Sequence, residues 1–389
     1  MTAPAKVLFI STQPYFEWRG SPIRVKFNQL ALERQDCEVD LLAPPIGADD
    51  PDCPSRVIRV WALPGVKSLP IGPSPAKLVF DLFLLVKAVM LMLRHRYDVV
   101  HGTEEGGMIA WLVSRLGRAK CVYEKHSDPA SYRKKGLRNL IMSAYRGVER
   151  FTARHADAVI CTGPGLAEQA RRYAPEANIN HIPDIPSSLV EAETDRVQAV
   201  RGQLLEDGEE VLVTYVGSFA LYQGIDLLFE TIPLVLAKQH NVRFLVIGGR
   251  ADEIEFYRAR LGADATRVSF AGLIDPNELP HWLAASDIVL APRRAGINTP
   301  LKILDYFKAN VAIVATDTDA NRLILDEQCA RLCQFDADAF AEAISELARQ
   351  PEQREKLAAG GHERYLTRFN FSVFSAQIGE VYGKLLERN

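Results

Sequence analysis

The strongest constraint on the fold is an alternation of strand-like and helix-like segments that runs along the chain twice. In the first half, the strand-like runs are KVLFI, CEVDLLA, RVIRV, YDVVHG, KCVYEK and ADAVICTG, and helical patterns separate them. Repeated β-α-β order predicts a parallel sheet with helices on both faces. The pattern breaks around PDIPSSLVEAETD, residues 183–195, where prolines and serines replace apolar periodicity, so we place the domain junction there.

The alternation then starts again. VLVTYVG, VRFLVIGG, DIVLAP and VAIVATD are predicted as strands, the last of them closing the series, and helices are predicted for the remainder. A chain of 389 residues is also too long for one ordinary core. We therefore predict an α/β fold of two doubly wound domains, residues 1–187 and 188–368, followed by an amphipathic helix over residues 369–389.

Composition and charge favour a soluble, cytoplasmic protein with an anionic partner. The hydrophobic fraction is 48% and the charged fraction 24%, and the six cysteines form no pattern typical of zinc sites. The start of the sequence lacks the pattern of a signal peptide, and Asp81 and Lys87 interrupt the most apolar stretch, residues 78–93. Residues 1–185 carry a net charge of +6 and residues 186–389 a net charge of −9.

Ligands of open α/β sheets bind beyond the carboxyl ends of the strands, so the loops at those ends are the candidate sites. After the first strand, Gly20 opens a helix with Arg19 and Arg24 beside it, which is either an anion site or an ordinary glycine turn with surface arginines. His126 follows KCVYEK. It is either a group that hydrogen-bonds a substrate or a loop histidine satisfied within the protein.

In the second half, several glycine turns follow strands, as in YVGSFALYQGIDLL, VIGGRAD and FAGLID. Together with NTPLK they could cradle a nucleotide diphosphate. In the helix that NTPLK begins, Lys302 is a charge suited to phosphate, and Asp305 could accept hydrogen bonds from ribose hydroxyls. The alternative is an i,i+3 salt bridge on a surface helix. GxGxxG, Walker and GxSxG motifs are absent from the sequence, which argues against dehydrogenases, P-loop NTPases and α/β-hydrolases.

The chain resembles glycosyltransferase family 4, a group of retaining enzymes with the GT-B fold. The motifs that carry the resemblance are RGSPIR, YDVVHG, EKHSD, YVGSFALYQGIDLL, FAGLID, PNELPHWLAASDIVLAP and NTPLKILDYFKANVAIVATD. The resemblance implies two Rossmann-like domains facing a cleft, with the final helix crossing back onto the first domain. It implies a UDP- or GDP-sugar as donor, a glycan or lipid-linked acceptor, and no metal or cofactor.

The resemblance also assigns site residues. His126 and Lys302 take the catalytic positions. The donor-binding positions are Gly20, Gly217, Ser218, Gln223, Gly272, Arg293, Arg294, Asn298, Thr299, Pro300, Leu301 and Asp305.

Three positions depart from the family pattern. Ile297 replaces the sugar-binding carboxylate, and Ser218 and Gln223 replace two phosphate-binding cations, for which Lys302, Arg293 and Arg294 could substitute. These losses keep two alternatives open, a GT-B-like binding or scaffold protein without catalysis and a nucleotide-sugar epimerase.

The acceptor side has its own pattern. Residues 131–154 hold seven Lys or Arg and one Glu, and their apolar positions recur at helical spacing. The apolar stretch 78–93 lies in the same half. This combination favours a lipid-linked acceptor and contact with an anionic membrane at its cytoplasmic face. A buried crossover helix and a solvated basic face are the alternatives. Nucleic acid is not favoured, since the pI is near 6.3 and no binding motif is present.

Overall fold

The computed structural model of the chain describes residues 3–50, 52–53, 55–69, 74–128, 137–295 and 300–387. It divides into two compact units. The first consists of Met1–Asp184 together with Phe371–Asn389, and the second of Ile185–Asn370.

The first unit is built around a seven-stranded parallel sheet. Its elements in chain order are β1 Lys6–Ile10, α1 Gly20–Glu33, β2 Glu38–Ala43, β3 Arg56–Arg59, α2 Pro75–Arg94, β4 Val99–Thr103, α3 Gly106–Gly117, β5 Lys120–Lys125, α4 Leu137–His155, β6 Ala158–Cys161, α5 Pro164–Tyr173 and β7 Ile179–His181. The strand order is β3-β2-β1-β4-β5-β6-β7.

The second unit is built around a six-stranded parallel sheet. Its elements are α6 Thr194–Leu204, β8 Val211–Val216, α7 Ile225–Lys238, β9 Val242–Ile247, α8 Ala251–Leu261, β10 Val268–Gly272, α9 Leu279–Ala284, β11 Ile288–Ala291, α10 Leu301–Ala309, β12 Ala312–Thr316, α11 Asp319–Arg322, β13 Ala330–Cys333, α12 Ala337–Arg349 and α13 Pro351–Arg368. The strand order is β10-β9-β8-β11-β12-β13.

Two doubly wound α/β domains are thus confirmed, but the prediction that VAIVATD closes the second sheet is wrong. β13 pairs with β12 outside that strand, and β7 also escaped prediction. Both are short edge strands with partly exposed side chains. An edge strand needs no continuous apolar run, because only one of its sides is paired and covered.

The central strands are buried on both faces, which explains their continuous apolar sequences. Along β8, Val213 and Tyr215 pack into the cluster that contains α7 and α12. Leu212, on the opposite face, packs into the cluster that contains α10. Alternate residues of β8 therefore pack against helices on opposite faces of the sheet, and α10 packs on one of these faces.

The last helix, α14 Phe371–Leu386, belongs to the first unit. Its Phe371 ring lies 6.3 Å from the ring of Phe27 on α1, and the Arg34 guanidinium lies 4.8 Å from the same Phe371 ring. Further along, the Tyr382 hydroxyl lies 2.8 Å from Nδ1 of His101 on β4. The helix therefore reaches a buried polar group of the first sheet.

Candidate functional site

In each sheet, the direction in which the chain crosses over reverses at one pair of neighbouring strands. These pairs are β1 and β4 in the first unit and β8 and β11 in the second. The carboxyl ends of such a pair leave a crevice, because the two following connections leave toward opposite edges of the sheet. The loops after β8 and β11 carry most of the residues that the sequence assigned to donor binding.

Backbone atoms crowd together at the ends of β8, β9 and β10. Gly217 N donates to Ile247 O at 3.0 Å, and Gly248 N donates to Gly272 O at 2.7 Å. A Cβ on Gly248 would lie 2.1 Å from Gly217 O, so only glycine fits there. A Cβ on Gly272 would make only an ordinary contact, 3.8 Å from Ile254 Cδ1, so it is the φ of +62° that favours glycine there. Of the three glycines, Gly217 and Gly272 are half-buried and Gly248 is buried.

Lys302 lies against this glycine edge. A Cβ built on Gly217 would lie 2.7 Å from Lys302 Nζ, so the ammonium occupies the space a side chain would fill. The ammonium also lies 4.6 Å from the centre of the Tyr215 ring. None of the ion pairs that involve described residues includes Lys302. A half-buried cation without a carboxylate partner is costly to the free protein and suited to an anionic ligand.

Burial lowers the pKa of Lys302 from 10.5 to about 7, and the nearby charge of Arg293 lowers it further in the same direction. The unfolded chain, in which a lysine has its ordinary pKa, binds more protons between pH 7 and pH 10 than the folded chain does. The Lys302 ammonium therefore destabilises the fold most below pH 7, and this penalty disappears as pH rises through 7 toward 10.

The same shift predicts how nucleotide binding depends on pH. A bound diphosphate would favour the charged ammonium, so affinity should be greatest below pH 7 and should fall by up to about tenfold per pH unit above it. Isothermal titration of UDP and GDP from pH 6 to pH 9, in buffers of different ionisation enthalpy, would measure both the affinity and the proton taken up. Affinity that is flat across this range would contradict the assigned role.

The other predicted cations differ in position. The Arg293 guanidinium lies 6.0 Å from the Tyr222 ring, in the loop after β8, and its charge acts on Lys302. Arg294 is exposed, its guanidinium lies 4.8 Å from the Phe335 ring, and no described contact joins it to Lys302. Of the two arginines, the structure brings Arg293 to the lysine.

Ser218 and Gln223 lie on the glycine turn after β8, as the sequence indicated. The Ser218 side chain is exposed and its carbonyl oxygen accepts a hydrogen bond of 2.9 Å from the Tyr215 hydroxyl. Gln223 is half-buried, and its Oε1 is buried without a hydrogen-bond partner among the described residues. Neither position supplies a charge, so Lys302 and Arg293 are the cations that the described part of this crevice offers.

Asp305 makes no ion pair with Lys302 in the described part of the chain. Its carboxylate accepts hydrogen bonds from the Ser187 amide at 2.6 Å and the Ser187 hydroxyl at 2.9 Å. Burial raises the pKa of Asp305 to about 6, although the bonds from Ser187 and the charge of Lys308 act in the opposite sense. With Lys308, it lines a cavity of about 70 Å³. Lys302 and Asp305 therefore do not form the i,i+3 salt bridge that was the alternative interpretation.

Lys308 holds the same segment. Its ammonium donates to Ser188 O at 3.0 Å and to Val190 O at 2.7 Å. Together, Asp305 and Lys308 fasten the segment after residue 186 to α10. Pro300 precedes α10 as its N-cap and Leu301 is its first residue, whereas Asn298, Thr299 and Ile297 lie outside the described residues.

In the first unit, Gly20 begins α1 and His126 lies beside that helix start. His126 Nδ1 is 3.1 Å from Ser21 Oγ, and its Nε2 is 3.2 Å from Glu124 Oε2. The structure thus brings together the two residues that the sequence assigned within the first domain. Both ring nitrogens of His126 face groups of the protein.

Arg24 is not a surface cation beside the start of α1, so that expectation is wrong. Its side chain is 3% exposed, and its Nε donates to Glu124 Oε1 at 2.9 Å while its Nη1 donates to Pro183 O at 2.8 Å. A fully buried carboxylate on β5 requires a buried partner charge, and Arg24 supplies it. Arg19 remains at the helix start as its N-cap and pairs with Glu17.

Sequence reasoning did not find Glu124, Ser187 or Tyr215. Glu124 lies within KCVYEK, which was predicted only as a strand. A carboxylate in such a segment was nevertheless a sign of a buried polar group. Ser187 acts only through a contact with a residue 118 positions away. Among the described residues, no group of three His, Cys, Asp or Glu side chains is placed to hold a metal ion.

Two protein-family models match this chain. The model described as "Glycosyl transferase 4-like domain" matches residues 28–183, and the model described as "Glycosyl transferases group 1" matches residues 210–350. The first covers most of the unit that holds His126, and the second covers the loops that hold Gly217 and Lys302.

Individual proteins agree with these matches. A phosphatidyl-myo-inositol mannosyltransferase of Mycolicibacterium smegmatis is 26% identical over 362 residues, covering 91% of this chain and 88% of that protein. The sucrose-phosphate synthase structure from Thermosynechococcus elongatus aligns over 99% of this chain and 100% of its own, with a TM-score of 0.77 and 22% identity. Anabaena HepE in complex with UDP aligns over 97% and 100%, with a TM-score of 0.72 and 18% identity. The structural matches establish the fold.

Proposed function

Because the chain belongs to glycosyltransferase family 4 and has the GT-B fold, we propose that it is a retaining enzyme using a UDP- or GDP-sugar. The acceptor is a glycan or a lipid-linked glycan of the cell envelope or an exopolysaccharide. The mannosyltransferase relative, named for a phosphatidylinositol lipid, supports an acceptor of the lipid-linked kind.

The observation that carries the proposal is the position of Lys302. Its ammonium lies without a carboxylate partner, in the part of the chain that the structure describes, against the glycine turn after β8. A diphosphate bound there would interact with the positive charges of Lys302 and Arg293 and with the backbone of the glycine turns. These groups would stabilise the negative charge that develops on the diphosphate when it leaves the sugar. No metal is needed in this account.

Other residues take the remaining roles. Asp305 would accept hydrogen bonds from the ribose hydroxyls. These bonds would replace part of its hydrogen bonding with Ser187. His126 would hydrogen-bond the transferring sugar. Gly217 and Gly272 would let backbone approach the phosphates and the base.

A panel of nucleotides tests the donor class. UDP, GDP and ADP, with their sugars, should be compared by thermal shift. A nucleotide at about 100 times its dissociation constant should stabilise the protein by roughly 2.7 kcal/mol. We expect stabilisation by UDP or GDP and not by ADP. No shift with any nucleotide would instead support the binding or scaffold protein without catalysis, because the charges missing at Ser218 and Gln223 would then be decisive.

The first unit also carries a surface suited to a membrane. On α2, the exposed side chains Leu78, Leu82, Val86 and Leu93 follow one another at helical spacing. Gly117 of α3 contacts Met92 of α2, so the ends of the two helices lie side by side, and Leu116 there is 63% exposed. Exposed cations adjoin these ends, namely Arg94, Arg96 and Arg118. We call Leu78, Leu82, Val86 and Leu93 of α2, together with Leu116 of α3, the apolar stripe.

The apolar stripe favours the membrane interpretation of residues 78–93 over that of a wholly buried crossover helix. No helix in the described ranges combines the length and apolarity required to span a bilayer. Apolar side chains beside cations are typical of helices that lie in the interface of an anionic membrane. Of the basic segment 131–154, residues 131–136 and the side chains of 137–142 lie outside the described residues.

Polar substitutions in the stripe should weaken this contact. Leu78→Ser with Leu82→Ser should lower partitioning onto phosphatidylglycerol vesicles at least about tenfold, because two exposed leucines lose their burial in the membrane. Vesicle flotation measures this. Leu366→Ser with Leu323→Ser, which removes two exposed leucines of the second unit, is the matched control. Equal flotation of both double variants, or binding to pure phosphatidylcholine alone, would contradict the assignment.

A further inference from the structure

Glu124 is a fully buried carboxylate with four polar side chains around it. Its Oε1 accepts from Arg24 Nε at 2.9 Å, and its Oε2 accepts from Asn28 Nδ2 at 2.7 Å. His126 Nε2 lies 3.2 Å and His101 Nε2 3.4 Å from the same Oε2. These partners come from α1, β4 and the residue after β5. Two imidazoles therefore compete for one carboxylate oxygen.

The contact with Tyr382 determines which ring nitrogen of His101 carries the proton. The Tyr382 hydroxyl is buried, and His101 Nδ1 at 2.8 Å is the hydrogen-bond partner recorded for it among the described residues. A buried hydroxyl proton needs an acceptor, so the phenol donates and Nδ1 must carry the lone pair. The proton of His101 then lies on Nε2, facing Glu124. Burial also lowers the pKa of His101, which agrees with a neutral ring despite the opposing effect of Glu124.

His126 is in the opposite situation. Among the described residues, the partner of His126 Nδ1 is the Ser21 hydroxyl at 3.1 Å, which can accept a hydrogen bond as well as donate one. Burial alone would lower the pKa of His126, but Glu124 and Glu104 more than offset it and raise the pKa above 6.5, against the opposing charge of Arg24. Glu104 also accepts a hydrogen bond from the His126 amide at 3.0 Å. Asp184, which pairs with Arg24, adds a further carboxylate near the ring.

We infer that Glu124 and Tyr382 are positioning residues that hold the two histidines in different protonation states. Glu124 keeps His126 as an imidazolium with its Nδ1–H directed at Ser21, at the start of α1. Tyr382 of α14 keeps His101 as the neutral Nε2–H tautomer, so that His101 adds no second positive charge at Glu124. The last helix of the chain thereby takes part in setting the charge of a predicted catalytic residue.

The consequence rests on the proposed function, in which His126 meets the donor. An imidazolium there, with its two ring nitrogens facing Ser21 and Glu124, would place a positive charge near the negative charge that develops in the transition state. A neutral histidine would place no such charge there. The state of the two rings can be measured without any substrate, so this inference and the proposed function can fail separately.

Nitrogen and carbon NMR of histidine-labelled wild-type protein tests the inference directly. An unperturbed histidine is half protonated near pH 6.5. At that pH we expect His126 to be mostly doubly protonated and His101 mostly neutral with its proton on Nε2. His126→Asn and His101→Asn assign the signals. A neutral His126, or a doubly protonated His101, would overturn the inference whether or not UDP or GDP binds.

Glu124→Gln separates positioning from packing. We expect the midpoint of the His126 titration to fall by at least about one pH unit, a tenfold change, and the pH profile of donor turnover to move downward with it. The His155 titration is the internal control, because His155 stacks on Phe151 away from this cluster. An unchanged His126 midpoint would contradict the role of Glu124.

Tyr382→Phe covers the case in which Glu124→Gln does not fold, since the change removes one hydroxyl. It should remove the hydrogen-bond signature at His101 Nδ1 and free that nitrogen to take up a proton, so that more of His101 is doubly protonated at pH 6.5 than in the wild type. An unaltered Nδ1 signal would show that the phenol is not the donor.

Discussion

Replacing Lys302 with alanine is expected to weaken binding of UDP or GDP by roughly 10- to 150-fold. A hydrogen bond to a charged group is worth about 1.5–3 kcal/mol, and this ammonium lies half-buried where water competes little. The free protein has no carboxylate on Lys302 among its described residues, so its charge is available to the ligand. Isothermal titration of each nucleotide at pH 6.5 measures the loss.

The fold should survive this change. Removing a half-buried cation with a lowered pKa relieves a cost below pH 7, so Lys302→Ala should be at least as resistant to unfolding there as the wild type. Lys356→Ala is the matched control, because Lys356 is exposed on α13 and its loss should leave nucleotide affinity unchanged. Equal affinity in the wild type and Lys302→Ala would refute the assigned role of Lys302.

Gly224→Ala is expected to lower the free energy of unfolding by at least about 3 kcal/mol. Gly224 has a φ of +77°, where a side chain costs about 1–2 kcal/mol. In addition, a Cβ there would lie 1.6 Å from Pro292 O, a backbone atom of the loop that carries Arg293. Either the turn after β8 or the loop after β11 must move, so nucleotide binding should be lost as well. Chemical denaturation and nucleotide titration measure the two effects.

A matched glycine separates the clash from the backbone strain. Gly65 has a φ of +78°, and apart from its chain neighbours no atom of a described residue lies within 4 Å of the position of its Cβ. Gly65→Ala should therefore cost only the 1–2 kcal/mol of the left-handed conformation and leave nucleotide affinity intact. If both variants lowered the free energy of unfolding equally, the close approach of Gly224 to Pro292 would contribute nothing to the loss.

The fold was predictable because central parallel strands are buried on both faces and read as continuous apolar runs. KCVYEK coincides with β5, and KVLFI coincides with β1. The pattern fails for β7 and β13, whose side chains are partly exposed at the sheet edges. Sheet order itself depends on pairings between distant segments, which no local pattern encodes.

The site was predictable where chemistry is local. The start of α10 with Lys302, and the glycine turns beyond β8 and β9, follow from residue type and position after a strand. The partners of Asp305 and Arg24 were not predictable, because Ser187 and Glu124 lie 118 and 100 residues away from them. A buried polar group is satisfied by whatever the fold brings to it, and only the structure shows which residue that is.

Release of nucleoside diphosphate from UDP- and GDP-sugars tests the central claim most directly. Wild-type protein and Lys302→Ala should be incubated with each donor, with and without a lipid-linked glycan fraction. We predict release from donors of one base by the wild type, faster with the acceptor fraction, and at least about tenfold slower release by Lys302→Ala. Equal release by the two proteins, or no release by the wild type from any donor, would contradict this account.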